Sequence, residues 1–249
     1  MAKVAEKNNT KNFMDEYSGE GTQFVTADDL AIPFLKISQA LSDEIDAESP
    51  EFIKGLKLGM FFNSLTKYTY GKEISIIPLR FQKVWLEWKP KRGGLVNRHE
   101  PGTIEVDKTD FSEWKRPNGN VIQETHMFYC MIEEHLEDGP ILFAMQSTGI
   151  KHAKNWNSQI LMTRLPNGNQ APYFSSVWTL SIDKYTNDQG TYYQIGGKTS
   201  NIERVRFIKK SEFSDYILPT YENVKRLESN VNFAKLEDKS NSEDSEVAY

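Results

Sequence analysis

The chain of 249 residues has one cysteine, Cys130, which excludes an intramolecular disulfide and any site built from several thiolates. Cys130 lies in the apolar run HMFYCMI, where a free cysteine behaves as a small buried hydrophobe. No stretch approaches the ~20 consecutive apolar residues of a membrane span, and MAKVAEKNNTKNF lacks the apolar core of a secretory signal. The expectation is a protein of the cytoplasm with no membrane partner.

Motifs that carry chemistry are equally scarce. Neither G-x-x-x-x-G-K-[ST] nor G-x-G-x-x-G occurs, and Gly196-Gly197-Lys198-Thr199 lacks the first glycine of the former, so it reads as a strand-end turn. His99, His126, His135 and His152 fall singly, in no metal-ligand spacing, and no G-x-S-x-G supports hydrolase chemistry. Glu133, Glu134 and Asp138 resemble half of a two-metal carboxylate clamp; their place beside a hairpin turn gives the plainer reading of a solvated strand end. No catalytic residue, metal or cofactor is expected.

The net charge of −5 is unevenly spread. Residues 1–50 carry 10 acidic and 4 basic groups, residues 236–249 carry 5 and 1, and residues 51–235 carry 20 and 25. Acidic ends thus conceal a basic body, an asymmetry that speaks of partners rather than of fold.

Hydrophobic residues at 38% and aromatics at 12% supply a core. Residues 1–25 are polar and aperiodic, which predicts an unstructured or loosely docked arm. Thr26 to Leu41 predicts a short extended piece and a helical turn, and Ser42 to Pro50 an acidic loop. EISIIPLRFQKVWLEWKP alternates over the length of a long bent strand, with Pro78 demanding an edge position or a bulge. Residues 93–118 read as a long loop. VIQETHMFYCMIEE and PILFAMQST form a hairpin around Asp138-Gly139, and Gly149 to Leu165 has helical spacing. APYFSSVWTLSIDKYT and GTYYQIGG form a second hairpin, NIERVRFIKK a strand, and residues 211–229 a C-terminal helix. The fold expected is mainly β with helical additions, an α+β domain over 26–229 built on an OB-fold-like β-barrel with an inserted helix and a C-terminal helix. Residues 230–249 follow as an acidic, unstructured tail.

Sequence-independent binding of single strands needs cations that follow phosphates and flat rings on which bases stack. Three segments interleave them. In RFQKVWLEWKPKR, an apolar face of Val84, Leu86 and Trp88 turned inward leaves Lys83, Trp85 and Lys89 outward, followed by Lys91 and Arg92. Trp85 stays open between a stacking platform and a core residue. In the inserted helix, Lys151 and Lys154 are phosphate candidates, while the spacing of Trp156 favours the core. In the last hairpin and its exit, Tyr173 and one of Tyr192 and Tyr193 are ring candidates, Tyr193 being preferred, with Arg204 and Arg206 as cations. The tail LEDKSNSEDSEVAY reads either as a solubilising appendage or as a nucleic-acid mimic: Glu243, Asp244 and Glu246 compete for the groove and the terminal Tyr249 is offered to partners.

An acidic tail closed by an aromatic, together with DDLAIPFLKISQALS, GMFFNSLT, IIPLRFQKVWLEWKP, KNWNSQI and PYFSSVWTLS, resembles a family of phage single-stranded DNA-binding proteins across roughly residues 28–200. The resemblance implies an oligonucleotide-binding barrel that coats unwound DNA, replication or recombination proteins as partners through the tail, and a homo-oligomer as an option. A virion or assembly component and a metal-dependent nuclease or recombination enzyme using Glu133, Glu134 and Asp138 are the alternatives.

Overall fold

A computed structural model describes residues 32–109, 114–188, 190–196 and 202–228. In chain order these form β1 (Leu35–Ile37), β2 (Phe61–Asn63), β3 (Thr69–Gly71), β4 (Glu73–Trp88), β5 (Leu95–His99), β6 (Trp114–Lys115), β7 (Val121–Ile132) and β8 (Ile141–Gln146). Helix α1 (Ile150–Met162), strands β9 (Ser176–Asn187), β10 (Gly190–Ile195) and β11 (Ile202–Phe207), and helices α2 (Lys210–Glu212) and α3 (Leu218–Glu228) complete the chain. A π-turn, Phe213–Ile217, joins the last two. The protein is therefore mainly β with a few helices, and both expected hairpins, the inserted helix and the C-terminal helix are present. No helix among the described residues is long and apolar enough to cross a membrane.

β4 is the spine. It pairs antiparallel with β7 along most of its length and with β9 at its start, while β8 flanks β7 and β10 flanks β9. The neighbour order is thus β8-β7-β4-β9-β10. β8 and β10 are not paired with each other among the described residues, so the sheet does not close into a hydrogen-bonded barrel. The segment around β1 touches both free edges instead. Leu142 N–H donates to Pro33 C=O (2.8 Å) and Phe34 bridges Leu142 in parallel. At the other end Gln39 accepts from Tyr193 N–H (2.8 Å) and donates to Tyr193 C=O (2.7 Å), so one side-chain amide takes the place of a strand partner.

Two apolar layers lie on the two faces of this sheet. The inner one gathers Ile74, Ile76, Phe128, Phe143, Trp156, Trp178 and Leu180 under α1. Trp156 stacks on Phe128 with centroids 4.5 Å apart. The outer layer gathers Ile77, Leu79, Val84, Leu86, Met127 and Tyr129 with Ile217 and Val224 of the C-terminal segment.

Pro78 sits in a central strand, not an edge, and the missing donor is absorbed by a bulge: the β4–β7 register shifts between Pro78 and Arg80. One extra residue also reverses the alternation. Before the shift even-numbered Ile74 and Ile76 face the inner layer; after it odd-numbered Phe81 does, and Val84 and Leu86 face the outer one. The stretch expected to be one long loop, 93–118, contains two strands: β5 pairs with the end of β4, and β6 with the start of β7.

Candidate nucleic-acid interface

Because the bulge puts odd positions on the inner side, Lys83, Trp85 and Glu87 continue the face that Phe81 begins. Trp85 and Glu87 are buried there, while Lys83 on the same face stays exposed. The inner apolar layer ends near Phe81, and the chain covers the rest of β4 with polar residues from 99–120. Glu87 is 2% exposed. Its carboxylate receives Arg116 Nη1 (2.9 Å), Asn120 Nδ2 (2.6 Å) and Asn118 Nδ2 (3.3 Å), and lies 2.6 Å from His99 Nε2. Burial opposes its ionisation, yet the hydrogen bonds from Asn120, His99, Arg116 and Asn118 outweigh it and lower its pKa to about 2. Trp85, 5% exposed, is covered by Trp114 at 5.7 Å in an edge-to-face contact. Lys108 Nζ lies 4.6 Å from the centroid of Trp85 and 4.3 Å from that of Trp114.

Beside this cover lies a concave surface of about 600 Å³ lined by Trp114, Glu124, Ser147, Ile150, Lys151 and Lys154. One wall is the half-buried indole of Trp114 and the other is the first turns of α1, from which exposed Lys151 and Lys154 project one turn apart. Glu124 is bound from both sides: Lys83 Nζ is 3.0 Å from Oε2 and His126 Nε2 is 3.1 Å from Oε1. Burial would raise the Glu124 pKa, but the bonds from Lys83 and His126 prevail and hold it below the usual range. Burial lowers the pKa of His126, and Glu124 only partly offsets this while Lys83 and Lys154 add to it. Lys151 and Lys154 therefore line a groove with an aromatic wall, and its one carboxylate, Glu124, is ion-paired to Lys83. Among the described residues neither Lys151 nor Lys154 is held in an ion pair.

Of the residues singled out by sequence, Lys151 and Lys154 line this groove and Lys83 adjoins it through Glu124, with Trp85 packed on Trp114. The rest do not. Lys89 and Lys91 are exposed beyond the end of β4, Lys91 with φ +57° in a tight turn; the Arg92 side chain lies outside the described residues. Tyr173 is half-buried against the inner layer, its hydroxyl donating to Asn157 Oδ1 (2.6 Å) and its pKa raised by burial. Tyr193 packs against the same layer with its ring on Gly59. These two rings, like that of Trp85, fill structure instead of presenting open faces. Arg204 lies over the Phe207 ring at 4.7 Å. Arg206 is held by Glu133 (Nε to Oε1, 3.0 Å) and Glu212 (Nη2 to Oε1, 2.7 Å), tying β11 and α2 to the turn after β7. Expected as a phosphate contact, Arg206 is instead a clamp: two carboxylates and the Phe207 carbonyl take up its guanidinium donors. Glu243, Asp244, Glu246 and Tyr249 lie outside the described residues.

The same clamp bears on the carboxylates. Glu133 is committed to Arg206, Asp138 Oδ2 faces His135 Nδ1 at 3.8 Å, and no three His, Cys, Asp or Glu among the described residues are grouped as a metal site. Gly196, the first residue of GGKT, follows β10 with φ +85° and packs on the His152 ring, which accounts for glycine at that position.

Sequence reasoning missed Trp114 and Lys108 because both fall in the stretch taken for a loop. A signal did exist: SEWKR places an aromatic between charges ahead of the Pro117-Asn118-Gly119-Asn120 turn, the pattern of a hairpin arm.

No curated protein and no solved structure matches this chain. A family model does, the Pam3 phage gp34-like protein, over residues 4–228, and with that extent of match the chain belongs to the Pam3 phage gp34-like protein family.

Proposed function

We propose that this phage-family protein binds single-stranded DNA without sequence preference, in the groove between Trp114 and the start of α1. The observation that carries the reading is the concave surface between the Trp114 indole and the start of α1, where Lys151 and Lys154 stand and the one carboxylate, Glu124, is ion-paired to Lys83. Lysines track the phosphates, and a ring face accepts any base because every base has a π-surface. Glu124 is no obstacle while Lys83 neutralises it, which leaves the charges of Lys151 and Lys154 for phosphates.

The strand order supports an oligonucleotide-binding fold: a five-stranded antiparallel run β8-β7-β4-β9-β10 with a helix between its third and fourth strands in chain order. In this reading the β1 segment fills the place where such a barrel closes. The acidic tail, with Glu243, Asp244, Glu246 and Tyr249, then acts as a competitor for the groove and as a handle for replication or recombination proteins in the host cytoplasm.

The test is the double variant Lys151→Glu/Lys154→Glu with labelled oligo-dT by fluorescence anisotropy. Affinity should fall at least about tenfold at low salt. The slope of log K against log salt should flatten by about 1.4, since each phosphate contact on a single strand contributes about 0.7. Unchanged affinity and slope would sink the assignment of the groove. Removal of residues 236–249 should tighten binding, and equal affinity would refute the competitor role of the tail.

A further inference from the structure

The β9–β10 hairpin carries a second aromatic feature that the groove does not include. Tyr185 and Tyr192 are directly paired across the hairpin, and their rings stack with centroids 5.4 Å apart and an interplanar angle of 15°. Tyr193, one residue on, is turned into the protein, so alternation sets Tyr192 on the opposite, outer side. Tyr185 is anchored, its hydroxyl donating to Gly196 C=O. Both rings are partly exposed, and the hairpin arm around them carries exposed Lys184, Thr186, Asn187 and Thr191.

The pair is joined to the groove through observed contacts. Ser147 lines the groove. Its neighbour Thr148 donates from Oγ1 to Gln194 Oε1 at 2.9 Å, and Gln194 lies two residues from Tyr192 on the same side of β10. His152 of α1 packs on Gly196 at the end of that strand. The hairpin is therefore stitched to the beginning of α1, where Lys151 and Lys154 stand. Asp183 lies beside Tyr185 and contributes, after burial, to raising the Tyr185 pKa, so this station offers ring faces and no local excess of cations.

We propose that Tyr185 and Tyr192 form a second base-stacking station, which extends the single-strand path from Trp114 along the start of α1 onto the β9–β10 hairpin. The inference rests on the groove reading and deepens it: the chemistry recognised is an unpaired nucleobase, held by stacking with little phosphate contact. Strands too short to reach the hairpin use the groove alone. Longer ones gain an increment that salt barely changes, because no counterion is released in making it.

The experiment compares wild type, Tyr192→Thr and Tyr192→Phe for binding of oligo-dT of about 4 and about 12 nucleotides, within the range of one such domain, at low and high salt. Threonine keeps the strand propensity and phenylalanine keeps the ring. In wild type the longer strand should bind about tenfold or more tightly than the shorter, with that ratio preserved at high salt. Tyr192→Thr should lose at least about fivefold of the ratio while leaving the short strand unaffected, and Tyr192→Phe should match wild type. An equal length ratio in wild type and Tyr192→Thr overturns the second station while leaving the groove in place. A wild type that binds neither oligonucleotide overturns the groove reading as well.

Discussion

The two halves of β4 belong to one strand and differ in what covers them. From Ile74 to Leu79 both faces are sealed by apolar side chains, with Trp156, Trp178 and Phe128 on one side and the C-terminal segment on the other. From Lys83 to Trp88 the outer face is still apolar, but the inner face is covered by ions and amides: the Glu87 cluster, and Lys108 over two indoles. The apolar half is held by burial, which is non-directional and forgiving of detail. The polar half is held by specific donors around one carboxylate, where losing a partner leaves a buried charge unsatisfied. The groove lies where the second regime takes over, so the wall that carries Trp114 depends on Glu87.

The largest effect should come from the apolar half. Trp156 is fully buried and stacked on Phe128, so Trp156→Ala should lower stability by about 3–5 kcal/mol, read as a shift of the urea midpoint at unchanged slope. A loss under about 1 kcal/mol would mean that α1 does not share the core of the sheet.

Glu87→Gln comes next. The amide keeps an acceptor for Asn118 and Asn120 but removes the charge that Arg116 meets, at a cost of about 1–3 kcal/mol. The cost should be local. Trp85 and Trp114 should shift to the red in emission and the 99–116 segment should become accessible to protease, while the inner core unfolds at nearly the same urea concentration. Simultaneous loss of both halves would show that the polar cover is not a separate unit.

Acid should act on the polar half through the same carboxylate. The Glu87 pKa is lowered in the folded chain from an ordinary 4.5 to about 2, so its stabilisation is complete above pH 4.5 and drains away as pH falls toward 2. Indole emission is expected to report opening of the cover within that window. Glu87→Gln should abolish this transition and leave any other acid transition in place. A wild type whose cover opens instead above pH 5 would assign the linkage to another group.

Sequence alternation revealed the apolar half of β4 well because every signal there, from Ile74 and Ile76 to the hairpin partner in HMFYCMI, agrees with burial. It also showed that Pro78 needs a bulge or an edge. It could not show that the bulge reverses which face is inner, because a one-residue slip leaves the hydrophobic pattern intact and exchanges its faces. Lys83 does face solvent, but Trp85 on the same face is covered. The cover was illegible for a second reason: Lys108, Arg116, Asn118 and Asn120 are residue types that ordinarily mark solvent and turns, and only the paired indoles, for Lys108, and the buried Glu87, for the others, give them work. Arg206 misled in the same way, since a cation in a basic run carries no mark of the two carboxylates, Glu133 and Glu212, that meet it in space. Lys151 and Lys154 were legible because a helix face can be drawn from spacing alone.

Lys108 offers the smallest expected effect and the finest cut between the two regimes. Its ammonium is shared by the Trp85 and Trp114 rings, but the side chain is exposed, and an exposed cation–π contact contributes only about 0.5–1 kcal/mol. Lys108→Met should thus cost less than about 1 kcal/mol by urea titration, retaining the stem that lies on the indoles while removing the charge. The Glu87 cluster would still hold the cover, because its four partners come from residues 99–120 and none is Lys108. If Lys108→Met instead opened the cover as fully as Glu87→Gln, the indole pair and not the buried carboxylate would be what fastens it, and the groove wall would stand on aromatic contacts alone.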